Sequence, residues 1–172
     1  MPPSPIPDER IRQAYDYWLG KAAGRAMPRR GNLDPIEIPL LLPNIMLVDV
    51  EEPRRFRYRL IGTDCAQSHG FDATGRYVDE VLLDADYRGF VIALYDACVV
   101  GRRPIYSETL FASARTGTAG RRVHVAFMPL SEDGERVNMV FVAQHVSFPD
   151  RMMRDRHLLE ASPFKEVAHR VL

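Results

Sequence analysis

Phe56-Arg57-Tyr58-Arg59-Leu60-Ile61-Gly62-Thr63 is the stretch on which the fold turns. Phe56, Tyr58 and Leu60 alternate with Arg57 and Arg59, the two-residue period of a strand with one dry and one wet side. Gly62 stops the strand, and Thr63-Asp64-Cys65-Ala66-Gln67 reads as a short helix behind it. Gly70 and Thr74-Gly75-Arg76-Tyr77 then mark a turn into another helix. A strand, a glycine, a short helix and a turn, with no catalytic set among them, point to a sensing or interaction module.

Upstream, Ile45 to Val50 is an apolar run of strand length, and Glu51-Glu52-Pro53-Arg54-Arg55 is a turn, so the two strands form an antiparallel hairpin. Before them, Asp8 caps a helix whose apolar positions Ile11, Ala14, Tyr15, Trp18, Leu19, Ala22 and Ala23 recur at helical spacing. Asp34-Pro35 starts a brief helix, kept short by Pro39 and Pro43. Downstream, Tyr87, Phe90, Val91, Leu94, Tyr95, Cys98 and Val99 give the longest internal helix, ending at Gly101. Ile105 to Phe111, Arg122 to Leu130 and Val137 to Val146 read as a meander, turning at Thr116-Gly117-Thr118-Ala119-Gly120 and Glu132-Asp133-Gly134-Glu135.

This order predicts an α+β fold: a five-stranded antiparallel sheet with helices on one face, an amphipathic N-terminal helix and a C-terminal helical tail. The expected divisions are a flexible N-terminus at 1–7, a helical extension at 8–43, a core at 44–148 and the tail at 149–172. Within the tail, residues 150 to 160 read as helical, Pro163 as a break, and the residues after it as a second amphipathic stretch.

At 172 residues the chain can bury roughly 70% of the surface that its unfolded form exposes, so no metal or disulfide staple is required. Basic and acidic residues balance at 23 each, which gives no field to gather nucleic acid or an anionic membrane. Cys65 and Cys98 stand outside any Cys-x-x-Cys spacing and are expected to be reduced. The N-terminus is proline-rich with no apolar segment of export-signal type, and no apolar run is long enough for a bilayer. A cytoplasmic protein is expected.

Tyr17-Trp18, Met27-Pro28-Arg29, Asp34-Pro35, Leu42-Pro43, Tyr58-Arg59-Leu60-Ile61-Gly62-Thr63 and Gly75-Arg76 occur in this order across most of the chain. In this series the sequence resembles the PAS domains, and among them the single-domain proteobacterial PAS_5 family. The resemblance implies a sensor or interaction module, but no particular ligand, because one fold of this kind serves many functions.

Many haem-binding PAS sensors use a histidine on the long helix, and Asp84 to Gly101 contains none. The cysteine motif of the flavin-binding branch is also missing, since the corresponding residues are Val81-Leu82-Leu83-Asp84-Ala85-Asp86. Haem and flavin are therefore disfavoured, and the cofactor is open. Gln144 resembles the glutamine that the flavin-binding branch sets against its ring. Cys65 and His69, four apart on a helix, could pair, but packing explains them more simply and no third metal ligand accompanies them. His124 reads as a satisfied or surface strand residue.

A ligand pocket is expected between sheet and long helix, lined by Tyr87, Val91, Leu94, Tyr95, Cys98, Val140, Val142 and Gln144. Arg59 is a candidate polar anchor, either as a structural ion pair or as a clamp on an acidic ligand. Ile11, Tyr15, Trp18 and Leu19 are the candidate homodimer interface. No catalytic or metal-binding residue is assigned, and output is expected to pass in trans to a separate signalling protein. The alternatives are a small cone-shaped α+β enzyme of isomerase or dehydratase type, with a His-Asp or Tyr-Asp pair in its pocket, and a ligand-free scaffold.

Overall fold

The computed structural model describes residues 5–112, 119–147 and 164–172. In them a six-stranded antiparallel sheet runs in the order β2-β1-β5-β4-β3-β6. Its strands are β1 (Ile45–Glu51), β2 (Arg55–Ile61), β3 (Ile105–Ala112), β4 (Ala119–Leu130), β5 (Met139–Ser147) and β6 (Phe164–Val171). The predicted hairpin is β1 with β2, and the predicted meander is β3-β4-β5. β5 returns to pair with β1, which closes the two blocks into one sheet.

The strand count and the tail depart from expectation. Residues 164–171 form a sixth strand along β3 in place of a second helical stretch. Isolated from its neighbour, Phe-Lys-Glu-Val-Ala-His-Arg-Val is too short for periodicity to separate strand from helix. The free edge of β3 supplies what the sequence lacks. The helix expected at 150–160 and most of the turn expected at 116–120 lie outside the described residues.

Among the described residues, the sheet is accompanied by the α-helices α1 (Glu9–Ala22), α2 (Thr63–His69), α3 (Val78–Val81) and α4 (Ala85–Gly101). Asp8 and Asp84 cap α1 and α4 as the sequence implies, accepting hydrogen bonds from the amides of Ile11 and Tyr87. Helices cover both faces of the sheet, not one. Cross-strand register puts Val123, Val125 and Phe127 of β4 on the same side as Val142, Gln144 and Val146 of β5. Against this inner face lies α4, with Tyr95 edge-on to Phe127 and stacked on Phe56. The opposite, outer face carries Phe141, Met128 and His145, and there α1 packs, with Tyr17 against Phe141.

This placement also corrects the reading of α1. Ile11 and Trp18 are buried in the chain's own core, and the Trp18 indole donates to the Pro129 carbonyl at 2.9 Å. The stripe expected at a homodimer interface is occupied by the sheet, leaving only Leu19 and part of Tyr15 outward. Ahead of α1, Ile6 is fully buried and the Pro5 carbonyl accepts from Arg170 on β6.

Gly62 connects β2 to α2 at a point where the chain has no room. A Cβ there would lie 2.3 Å from the Leu42 carbonyl oxygen and 2.4 Å from that of Pro43. Both obstacles are backbone, so neither can swing aside. Gly62→Ala is expected to cost about 1–3 kcal/mol or more through overpacking. Gly20→Ala, inside α1 with nothing within 4 Å, is expected to gain about 0.5–1 kcal/mol through helix propensity. Urea unfolding of both variants should therefore move the midpoint in opposite directions.

Candidate functional site

The inner face is a layer of aromatic and sulfur-bearing side chains between the sheet and helices α2 and α4. Strand alternation turns Phe56 and Tyr58 inward from β2, and Val140, Val142 and Gln144 inward from β5. From above, α4 contributes Leu94, Tyr95 and Cys98, all buried, with the Cys98 thiol 3.6 Å from the Phe127 carbonyl. Tyr87, one end of the same helical stripe, sits edge-on to Phe111 and Phe164. α2 buries Cys65 and His69, with the His69 ring 6.0 Å from that of Tyr58.

The polar groups in this layer are poorly satisfied. Buried side-chain atoms without a hydrogen-bond partner include His69 Nδ1, Ser107 Oγ and Gln144 Nε2. Register places Gln144, Val125 and Ser107 side by side across β5, β4 and β3, so two of the three share one row of the inner face. Buried polar atoms usually find partners, and each left unpaired costs about 1–3 kcal/mol. Unpaired groups in such a row are what a polar ligand would satisfy.

A family model described as PAS domain, PAS_5, matches residues 8–142. The chain belongs to the PAS domain family. Among curated proteins, no sequence matches it. PAS domains are sensory and interaction modules, and the matched region takes in α1, β1 to β4 and the start of β5.

Of the pocket residues expected from sequence in this PAS domain, Val140, Val142 and Gln144 turn to the inner face and Tyr95 and Cys98 meet Phe127 there, while Tyr87 and Val91 are half-buried. Arg59 does not reach that face. The β1–β2 register shifts at Leu47/Val48, opposite Arg59, and this bulge aims the guanidinium outward, where its Nε donates to Asp49 at 2.8 Å. With 57% of its side chain exposed, Arg59 is a surface ion pair and no anchor for the inner layer. His69 was legible as a packing residue, but its unpaired nitrogen was not, because that depends on what α2 meets in three dimensions.

Burial sets the protonation of this layer. It pushes the Cys65 thiol up to about 12 and the His69 imidazole down to about 4. Both groups are therefore neutral near pH 7, and no thiolate–imidazolium pair forms between them. Burial also raises the phenols of Tyr58, Tyr87 and Tyr95, Tyr87 to about 12. Among the described residues, no group of three or more His, Cys, Asp or Glu side chains could hold a metal. Nor is any helix there long and apolar enough to cross a membrane.

His69 gives the domain an acid sensitivity of defined sign. Its folded-state value lies below the ordinary 6.5, so the unfolded chain binds the extra proton between about 6.5 and 4. Stability is then full above pH 6.5 and falls as pH drops towards 4, by about 3 kcal/mol over the whole window. Denaturant titrations at pH 7 and pH 5 should show this loss, and His69→Leu should remove most of it.

Proposed function

We propose that this PAS domain senses a small, uncharged organic molecule held on the inner face of its sheet, and passes the signal in trans to a separate protein. The observation that carries this reading is the set of unpaired buried atoms His69 Nδ1, Ser107 Oγ and Gln144 Nε2 beside an aromatic layer. The layer offers ring faces for an apolar body, and the unpaired atoms offer hydrogen bonds for a few polar substituents. An anionic ligand is disfavoured, because the arginine that the sequence offers as its clamp is engaged with Asp49 on the other side of the sheet.

The reading is non-enzymatic. A pocket enzyme needs an acid–base pair beside its substrate. Among the described residues, the His–carboxylate pair at hydrogen-bond distance, His145 with Asp8 at 2.7 Å, instead lies beneath α1 on the outer face. His69 is held neutral without a carboxylate partner, which suits a hydrogen-bonding contact better than proton transfer.

Denaturing mass spectrometry and an absorption spectrum of the purified protein test the proposal. A stoichiometric organic molecule is expected in the wild type, with retention reduced at least tenfold in Gln144→Leu. A ligand-free wild type that also binds nothing from a library of small aromatic compounds would favour the scaffold. A haem or flavin band would replace the uncharged ligand by a cofactor.

A further inference from the structure

Beneath the first turn of α1, the outer face of the sheet carries a chain of ionisable groups that the inner layer does not use. Asp8 has two roles there. One carboxylate oxygen caps α1 by accepting from the Ile11 amide at 3.1 Å, and the other lies 2.7 Å from His145 Nδ1. His145 of β5 stands directly opposite His124 of β4, with the rings stacked at 6.5 Å between centroids. His124 Nδ1 is 2.9 Å from the Tyr106 hydroxyl, which donates to Glu108 at 3.2 Å, and Arg122 donates to the same carboxylate. Arg170 of β6, opposite Tyr106, donates to the Pro5 carbonyl.

The formal charges of these groups balance only while both imidazoles are neutral: Asp8 and Glu108 against Arg122 and Arg170. A first proton on the histidine pair finds Asp8 within hydrogen-bond distance of His145. A second, on His124, finds Glu108 across the β3–β4 pair already accepting from Arg122 and Tyr106. His124 is also nearly buried, so its charge is poorly screened.

We propose that Asp8, His145 and His124 form an acid-sensitive latch, which holds the N-terminal turn of α1 on the sheet at neutral pH and releases it when His124 takes up a proton. Burial depresses the His124 imidazole below its ordinary value, with His145 and Arg122 adding to the effect and Asp8 and Glu108 opposing it. Burial raises the Asp8 carboxyl, but its hydrogen bonds to His145 and Ile11 outweigh that and hold it below its usual range. Both signs agree. A histidine lowered by folding disfavours the docked state as pH falls below about 6.5, and Asp8 keeps its charge through that range. Release of that turn would bare the outer-face positions next to the histidine pair, such as Ala126 and Ala143, giving the domain a second, pH-set surface.

Amide hydrogen exchange of the full chain between pH 7.5 and 5, corrected for intrinsic exchange, tests the latch. Protection of Ile11 and Arg12 is expected to fall by up to about tenfold per pH unit once His124 titrates, the slope for one proton. Amides in the middle of β4 and β5 should follow only the fall in global stability set by His69, and should do so equally in His124→Gln. His124→Gln should flatten the response. Asp8→Asn, which keeps a capping oxygen but loses the charge, should show reduced Ile11 protection already at pH 7.5. Unchanged Ile11 protection in the wild type, or an undiminished fall in His124→Gln, would overturn the proposal. Should His124→Gln fail to fold, the wild-type His124 ring can be titrated by NMR, and a midpoint that does not coincide with the loss of Ile11 protection overturns the latch equally.

Discussion

The structure depends on burying both faces of one antiparallel sheet. A sheet with one wet face could alternate apolar and polar residues along each strand; β1 and β5 do not, and Ile45 to Val48 and Met139 to Gln144 are buried without interruption. That requirement calls for two sets of helices. The inner set hangs from Gly62, where the backbone passes too near the Leu42 and Pro43 carbonyls for any side chain, and the outer face is covered by α1. Removing either cover would leave a row of large apolar side chains in water.

The elements were largely legible because periodicity and end signals are local. Asp8 and Asp84 announce the starts of α1 and α4, and the alternation in Phe56 to Leu60 announces β2. Which face an element covers is not local. The dry stripe of α1 is plain in Ile11, Ala14 and Trp18, but a stripe fits a second copy of the chain as well as a sheet, and only the register of β4 and β5 decides. The same limit applies to Phe164–Val171, whose strand character comes from the open edge of β3, and to Arg59, whose direction is set by a bulge.

The site was legible in part for the same reason. Tyr95, Cys98, Val140 and Val142 follow from helix and strand periods, and all reach the inner layer. Ser107 and His69 became informative only once their surroundings were known, since a lone polar residue in a strand or short helix is unremarkable until its partners are counted. The outer cluster had a faint signal in His124 and His145, which fall opposite one another once the β4–β5 pairing is drawn. Its completion by Asp8, 137 positions away from His145, had none.

The placement of Trp18 equips the molecule with an optical reporter of its own. It is the sole tryptophan of the chain, fully packed between α1 and the sheet, with its indole nitrogen tied to a backbone carbonyl of β4. Its fluorescence therefore reads the docking of one helix, undiluted by any other indole, and distinguishes lifting of the outer cover from events in the inner layer without a label or a substitution.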